Sequence, residues 1–197
     1  MQTSWSTVVG RPGKALMAKA RLTRSALQSR ASKIKLVLTD SDGVLTDTGV
    51  YYDENGEALK RFSIRDGMGV ELLRRAGIET AIITRETSPS VEQRANKLGM
   101  VHLYLGVKDK RAHLPSILAE TGLTPYQLAY IGDDVNDIDI MLAIGESGLI
   151  AAPQDAMPVV RKLVHYRCSV PGGRGALRDF AEWILKLRDH ASKTRRT

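Results

Sequence analysis

The sequence predicts an α/β fold, a Rossmann-like parallel sheet with helices on both faces and a projecting β-hairpin. Three observations predict it. From residue 34 onward, short apolar runs alternate with segments of helical character, as strand and crossover-helix units do when they feed a parallel sheet. Two of those runs end in acidic clusters, Asp40-Ser41-Asp42 and Asp133-Asp134, and open parallel sheets bind ligands at that edge. Residues 49–62 break the alternation with two β-forming stretches around Asn55-Gly56, a pair suited to a tight hairpin turn that needs two positive φ angles.

The strands are expected at Ile34–Thr39, Thr80–Thr84, His102–Leu105, Leu128–Ile131 and Gly148–Ala151. Helices are expected near Met68–Ala76, Pro89–Leu98, Lys110–Thr121, Asn136–Ile144 and Gly175–Leu187. Ser88 before Pro89 reads as an N-cap followed by proline at the first helical position, and Thr124 to Gln127 has capping-box spacing.

A chain of 197 residues with 43% hydrophobic content supports one sizeable core. The expected organisation is a basic extension over 1–33, one domain over 34–188 and a basic tail over 189–197. Within the extension, a surface helix is expected around Ala15 to Gln28, in preference to an organellar transit peptide. One cysteine, Cys168, excludes an internal disulfide and suits a reducing cytoplasm. No apolar run reaches the length of a membrane-spanning helix, so a soluble protein is expected. The net charge of +7 is unevenly placed: residues 1–39 carry eight Lys or Arg and no acid, whereas residues 40–185 carry 16 basic and 21 acidic side chains. The expected folded part is therefore acidic, and nucleic acid is not an expected partner.

Asp40 and Asp42 stand two positions apart where a buried strand emerges, and in extended backbone such residues point to one side. Asp133 ends a second apolar strand, so the two edges together form an oxygen-ligand cage suited to a hard cation such as Mg²⁺. Asp134 and Asp137 are read as orienting the cage or binding through water, with helix capping the alternative for Asp137. Thr84 ends the strand Ala81-Ile82-Ile83, and Lys110 follows the strand at His102–Leu105. A hydroxyl and an ammonium there supply what the equatorial oxygens of a transferring phosphoryl group require.

In these four motifs the chain from about 34 to 185 resembles the haloacid dehalogenase superfamily of phosphotransferases. The resemblance implies that Asp40 is the nucleophile, that Asp42 is the general acid and base, and that Asp40, the backbone carbonyl of Asp42 and Asp133 hold Mg²⁺. Many members carry a cap domain between the first and third motifs, but residues 47–79 and 85–109 leave no room for one. The sequence Asp40-Ser41-Asp42-Gly43-Val44-Leu45-Thr46-Asp47, the hairpin, Arg65-Asp66-Gly67, the segment Val91 to Leu98, Gly106 to Lys110 and Gly172-Gly173-Arg174-Gly175 resemble one branch. Its members are phosphatases of eight- and nine-carbon 2-keto-3-deoxy sugar acids, a module also found fused to acylneuraminate cytidylyltransferases. By this resemblance Asp66, Glu86, Arg94, Lys97 and Arg174 are substrate-binding candidates. Where the octulosonate phosphatases usually read Thr-Gly-Arg, this chain reads Thr84-Arg85-Glu86. With Lys97, Glu86 matches the subgroup acting on the nine-carbon nononate 9-phosphate, and octulosonate 8-phosphate is the other substrate expected.

The capless site implies a homotetramer in which hairpins pack together, as in the resembling phosphatases, and in which Gly172 to Gly175 acts as a flexible arm that carries Arg174 to a neighbouring site. Two other readings fit parts of the pattern. A receiver-like phospho-accepting domain also clusters acids with a Thr and a Lys, and a noncatalytic oligomerisation module shares the fold.

Overall fold

The computed structural model describes residues 22–194. The basic segment 1–21, with it the first half of the helix expected around Ala15 to Gln28, and the last three residues lie outside the described part.

Six strands form one parallel sheet: β1 (Leu36–Thr39), β4 (Glu79–Ile83), β5 (Leu103–Tyr104), β6 (Leu128–Ile131), β7 (Leu149–Ala152) and β8 (Tyr166–Arg167). Their order is β5-β4-β1-β6-β7-β8, which leaves β1 central between β4 and β6. The β8 strand and the short helix α6 (Pro158–Leu163) before it were not anticipated from the sequence. Two residues of strand carry no periodicity, and six residues of helix hold too few turns to show an apolar stripe.

Side chains along each strand alternate between two cores. Val37, Ile82, Ile131 and Ala151 face α2 (Ile64–Arg75), α3 (Pro89–Lys97) and α7 (Ala176–Thr194). Leu38, Ile83, Tyr130 and Ile150 face α4 (Lys110–Thr121), α5 (Ile138–Gly145) and α6. Because both faces are covered, β1 is buried along its whole length, which is why it reads as an unbroken apolar run.

The N-terminal helix α1 (Arg24–Ala31) packs against α7. Its Arg30 guanidinium donates to the carbonyl oxygens of Gly145, Glu146 and Gly148, at 2.8 to 2.9 Å. The first two of those carbonyls close α5, whose last oxygens have no partner inside the helix, and the third precedes β7. Residues 24–31 therefore pack on the same body as the sheet. At the other end, α7 runs to Thr194, seven residues past the expected Leu187.

The hairpin joins β2 (Val50–Asp53) and β3 (Gly56–Lys60). The turn residues are Glu54 and Asn55, one position earlier than the Asn55-Gly56 expected, and only Gly56 has positive φ. Asp53 accounts for the shift: its Oδ1 accepts from the Asn55 amide at 2.7 Å, a local bond that sets the turn without requiring positive φ at Asn55. A bulge at Tyr51 and Tyr52 then carries β3 one residue out of step. Residues 47–79 contain this hairpin and α2, and residues 85–109 contain α3 and β5, so no cap domain is inserted at either place.

Candidate active site

The C-terminal ends of β1, β4 and β6, together with the start of α4, converge on Asp40. Its Oδ1 accepts from the Ser41 amide at 2.7 Å and its Oδ2 meets the Lys110 ammonium at 2.9 Å. Lys110 opens α4, where the Asp109 side chain caps the helix by accepting from the Ala112 amide. Its Nζ also donates to Asp137 Oδ1 at 2.6 Å, and the side chain is 1% exposed. A buried lysine between two carboxylates keeps its proton: burial pulls its pKa down, but the charges of Asp40 and Asp137 outweigh burial and raise it.

Asp137 organises the second acidic loop. It is fully buried. One oxygen accepts from Lys110 and from the Tyr130 hydroxyl, the latter at 2.6 Å. The other accepts from the Asp133 amide at 2.9 Å and the Asp134 amide at 3.4 Å. The loop that presents Asp133 is thus tied to the lysine that holds Asp40. Sequence reasoning left Asp137 between orienting the cage and capping a helix; its side chain is the N3 partner in the capping box that opens the short 3-10 turn Val135–Asp137, and it makes no capping bond to α5, which it precedes. Oxygens of Asp40, Asp133 and Asp137 come within 4.8 Å of one another, close enough to share a cation. The Asp42 carboxylate lies outside that trio.

The cage is electrostatically tense. Burial first, then the negative charge of Asp137, pushes Asp40 up to about 7, against the opposing pull of Lys110. Burial and the charges of Asp40, Asp137 and Asp134 push Asp133 up to about 8. Gly43 lets the two loops meet: it has φ +83°, and a Cβ on it would collide with the Asp133 carboxylate.

Asp42 is held from a different direction. The Lys60 ammonium, at the end of β3, donates to its Oδ1 at 2.9 Å and its Oδ2 at 2.8 Å, and the Thr46 hydroxyl adds a bond at 3.1 Å. Lys60 was not anticipated, since nothing in the spacing of residues 42 and 60 signals a contact made by folding a hairpin back over β1. Thr84 is buried at the end of β4, and its Oγ1 accepts from the Glu86 amide at 3.2 Å.

No protein-family model matches the chain. Individual relatives do. The 3-deoxy-D-manno-octulosonate 8-phosphate phosphatase of Yersinia pestis is 41% identical over 160 residues, which cover 81% of this chain and 84% of that protein. The chain belongs to this phosphatase family. The enzyme of the same name from Haemophilus influenzae, solved with cobalt, superposes with a TM-score of 0.77 at 37% identity over 83% of this chain and 94% of that one. The Moraxella catarrhalis octulosonate phosphatase, solved with a magnesium ion, a phosphate ion and the sugar acid, has a TM-score of 0.76 at 33% identity over 85% of this chain and 95% of that one. The fold is that of the haloacid dehalogenase superfamily, with the six-stranded parallel sheet and added hairpin described above.

The five substrate-binding candidates that resemblance to this phosphatase family suggested are placed unequally. Glu86, Lys97 and Arg174 are exposed. Arg94 is half-buried, donates to the Ser63 carbonyl at 2.8 Å and lies over the Phe62 ring. Asp66 is buried, and its two oxygens accept from the amides of Gly175 and Arg178, each at 3.1 Å. In that position it satisfies the free N–H groups that open α7. The segment around Arg174 is no loose arm within the chain. Gly173 donates to the Val44 carbonyl at 2.9 Å, and Gly172 lies so close to the Gly43 carbonyl that a Cβ would overlap it. These glycines serve close approach to the Asp42 loop and leave only the Arg174 side chain outside.

Proposed function

We propose that this phosphatase hydrolyses the phosphate ester of 3-deoxy-D-manno-octulosonate 8-phosphate through an aspartyl-phosphate on Asp40, with Mg²⁺ as cofactor. One observation carries the reading. Asp40 is fixed through both oxygens at the end of the central strand, and Asp42, two residues on, is held by separate partners, so the two carboxylates are free to take different roles.

In the first half-reaction an Asp40 oxygen attacks phosphorus and the ester bond to the sugar breaks. Asp42 delivers its proton to the departing oxygen. In the second, Asp42 takes a proton from water while that water attacks the phosphorus, which releases inorganic phosphate and restores the Asp40 carboxylate. Thr84 and the Lys110 ammonium supply donors for the phosphoryl oxygens. Asp40, Asp133 and the Asp42 carbonyl would hold Mg²⁺, whose charge offsets the repulsion between a dianionic phosphate and the acidic cage. The upward push on Asp40 and Asp133 supports that fit, because carboxylates that resist ionising together are those a bound cation relieves.

The relatives favour the eight-carbon substrate, while Glu86 with Lys97 keeps the nine-carbon nononate phosphate as a second reading. A homotetramer is the assembly we propose. The exposed cross-strand pair Tyr51 (65%) and Leu59 (65%) on the two-stranded hairpin supports it, since such a ribbon is marginal alone and offers this apolar pair to a neighbour. No helix among the described residues is long and apolar enough to cross a membrane, and a cytoplasmic location remains part of the proposal.

Phosphate release from a panel of sugar phosphates, with Mg²⁺ and after exhaustive chelation, tests the reading. Octulosonate 8-phosphate should be turned over fastest, chelation should abolish turnover, and Mg²⁺ should restore it where Ca²⁺ does so poorly. Undiminished activity after chelation would overturn the metal assignment, and preference for an unrelated ester would overturn the substrate.

A further inference from the structure

The ammonium of Lys60 is, beside that of Lys110, a second one in the site, and the four motifs do not account for it. It comes from the hairpin, yet its side chain is 1% exposed, which is rare for a lysine without a task. Its contacts form a chain. Lys60 donates to both oxygens of Asp42 and pairs with Glu57 at 3.3 Å, and Glu57 in turn accepts from the Ser88 hydroxyl. Ser88 caps α3 and ends the loop that begins at Thr84. The bulge in the hairpin puts Glu57 opposite Tyr52 and returns Lys60 to register with Val50, so both charged residues are presented by one short strand.

We propose that Lys60 is a positioning residue for the general acid: it fixes the Asp42 carboxylate toward the leaving oxygen, and through Glu57 and Ser88 it ties that orientation to the loop carrying Thr84. The inference rests on the general-acid reading of Asp42. Its physical basis is geometric. A carboxyl group on one rotatable side chain gives up a proton, and its carboxylate takes one back, efficiently only when the group is held within hydrogen-bonding reach of its partner. Thr46 alone supplies a single bond of 3.1 Å, whereas Lys60 contacts both oxygens and fixes the plane of the group. Lys60 touches neither Asp40 nor Lys110 in any contact described above, so its effect should be confined to the step that needs the acid.

The test compares a sugar phosphate, whose alkoxide leaving group needs a proton, with an aryl phosphate, whose leaving group needs it far less. Lys60→Met keeps the length and apolar stem of the side chain and removes the charge. It should lower kcat for the sugar phosphate by about 10- to 100-fold with little change in KM, and cost the aryl phosphate distinctly less. Lys60→Arg should recover part of the loss. In an Asp42→Asn background the additional effect of Lys60→Met should vanish. Equal losses on the two substrates, or a loss confined to KM, would overturn the proposal; the latter would make Lys60 a phosphate ligand. If Asp42→Asn itself fails to discriminate between the substrates, the general-acid reading falls instead. Should Lys60→Met not fold, Glu57→Gln, which loosens Lys60 without removing it, should show the same selectivity at smaller size, and an unchanged substrate ratio there would also count against Lys60.

Discussion

The floor of the site and its rim are built by opposite rules. On the floor, Asp40, Lys110 and Asp137 are buried and share hydrogen bonds, so each position is determined by several partners at once. On the proposed rim, Glu86, Lys97 and Arg174 occupy exposed surface positions. In the proposed mechanism the floor carries a reaction whose charge distribution is the same for any phosphate ester, and preorganised groups in a water-poor setting stabilise it best. In the proposed function the rim has to match one sugar acid, which requires side chains that a substrate or a neighbouring subunit can engage. Chemistry should therefore be far less tolerant of substitution than selectivity.

Substitutions graded from floor to rim can break that comparison. Asp40→Asn preserves the shape and removes the nucleophile, so activity should fall by about 10⁴-fold or more while the protein keeps its thermal unfolding profile. Substantial remaining turnover in a phosphatase-free preparation would take Asp40 out of its role. Asp137→Asn leaves Lys110 with one fewer anionic partner and turns an amide group toward backbone N–H or Lys110 donors. It should cost about 3 kcal/mol of stability in denaturant unfolding and about 100-fold in turnover. If stability fell without a loss of turnover, the link between the two acidic loops would be structural only.

Two further changes probe exposed residues, on the hairpin and on the proposed rim. Replacing Tyr51 and Leu59 by Ser should shift light scattering toward smaller species and reduce turnover of the sugar phosphate. A fully active monomer would remove the need for an assembled site. The smallest effect is expected from Glu86→Ala, about tenfold or less on a sugar-acid phosphate and less again on an aryl phosphate, as fits one exposed polar contact. If nononate phosphate suffers no more than octulosonate phosphate, Glu86 has no part in choosing between them.

The alternation of strands and helices along the chain, the absence of an inserted cap and the acidic ends of β1 and β6 were legible because they are properties of local sequence, whereas the order of strands within the sheet was not. Apolar runs of strand length, flanked by helical segments, leave few topologies open, and motif residues such as Asp40 and Asp133 sit next to the strands that place them. Even the place of Lys110 was legible, since it follows the strand expected at His102–Leu105 and opens the helix expected at Lys110–Thr121. Three features were decided by tertiary structure. Lys60 reaches Asp42 only because a bulged hairpin folds back over the end of β1. Asp66 turns inward to cap a helix that begins 110 residues later in the chain, a partner no local pattern could name. The glycines at 172 and 173 look like freedom in the sequence and prove to be close contacts, because the same missing side chain permits either a flexible segment or the approach of two backbones. Local sequence determines which backbone states and which chemistry are present; contacts between distant segments depend on how the elements pack, and packing determines which of two permitted uses a residue has.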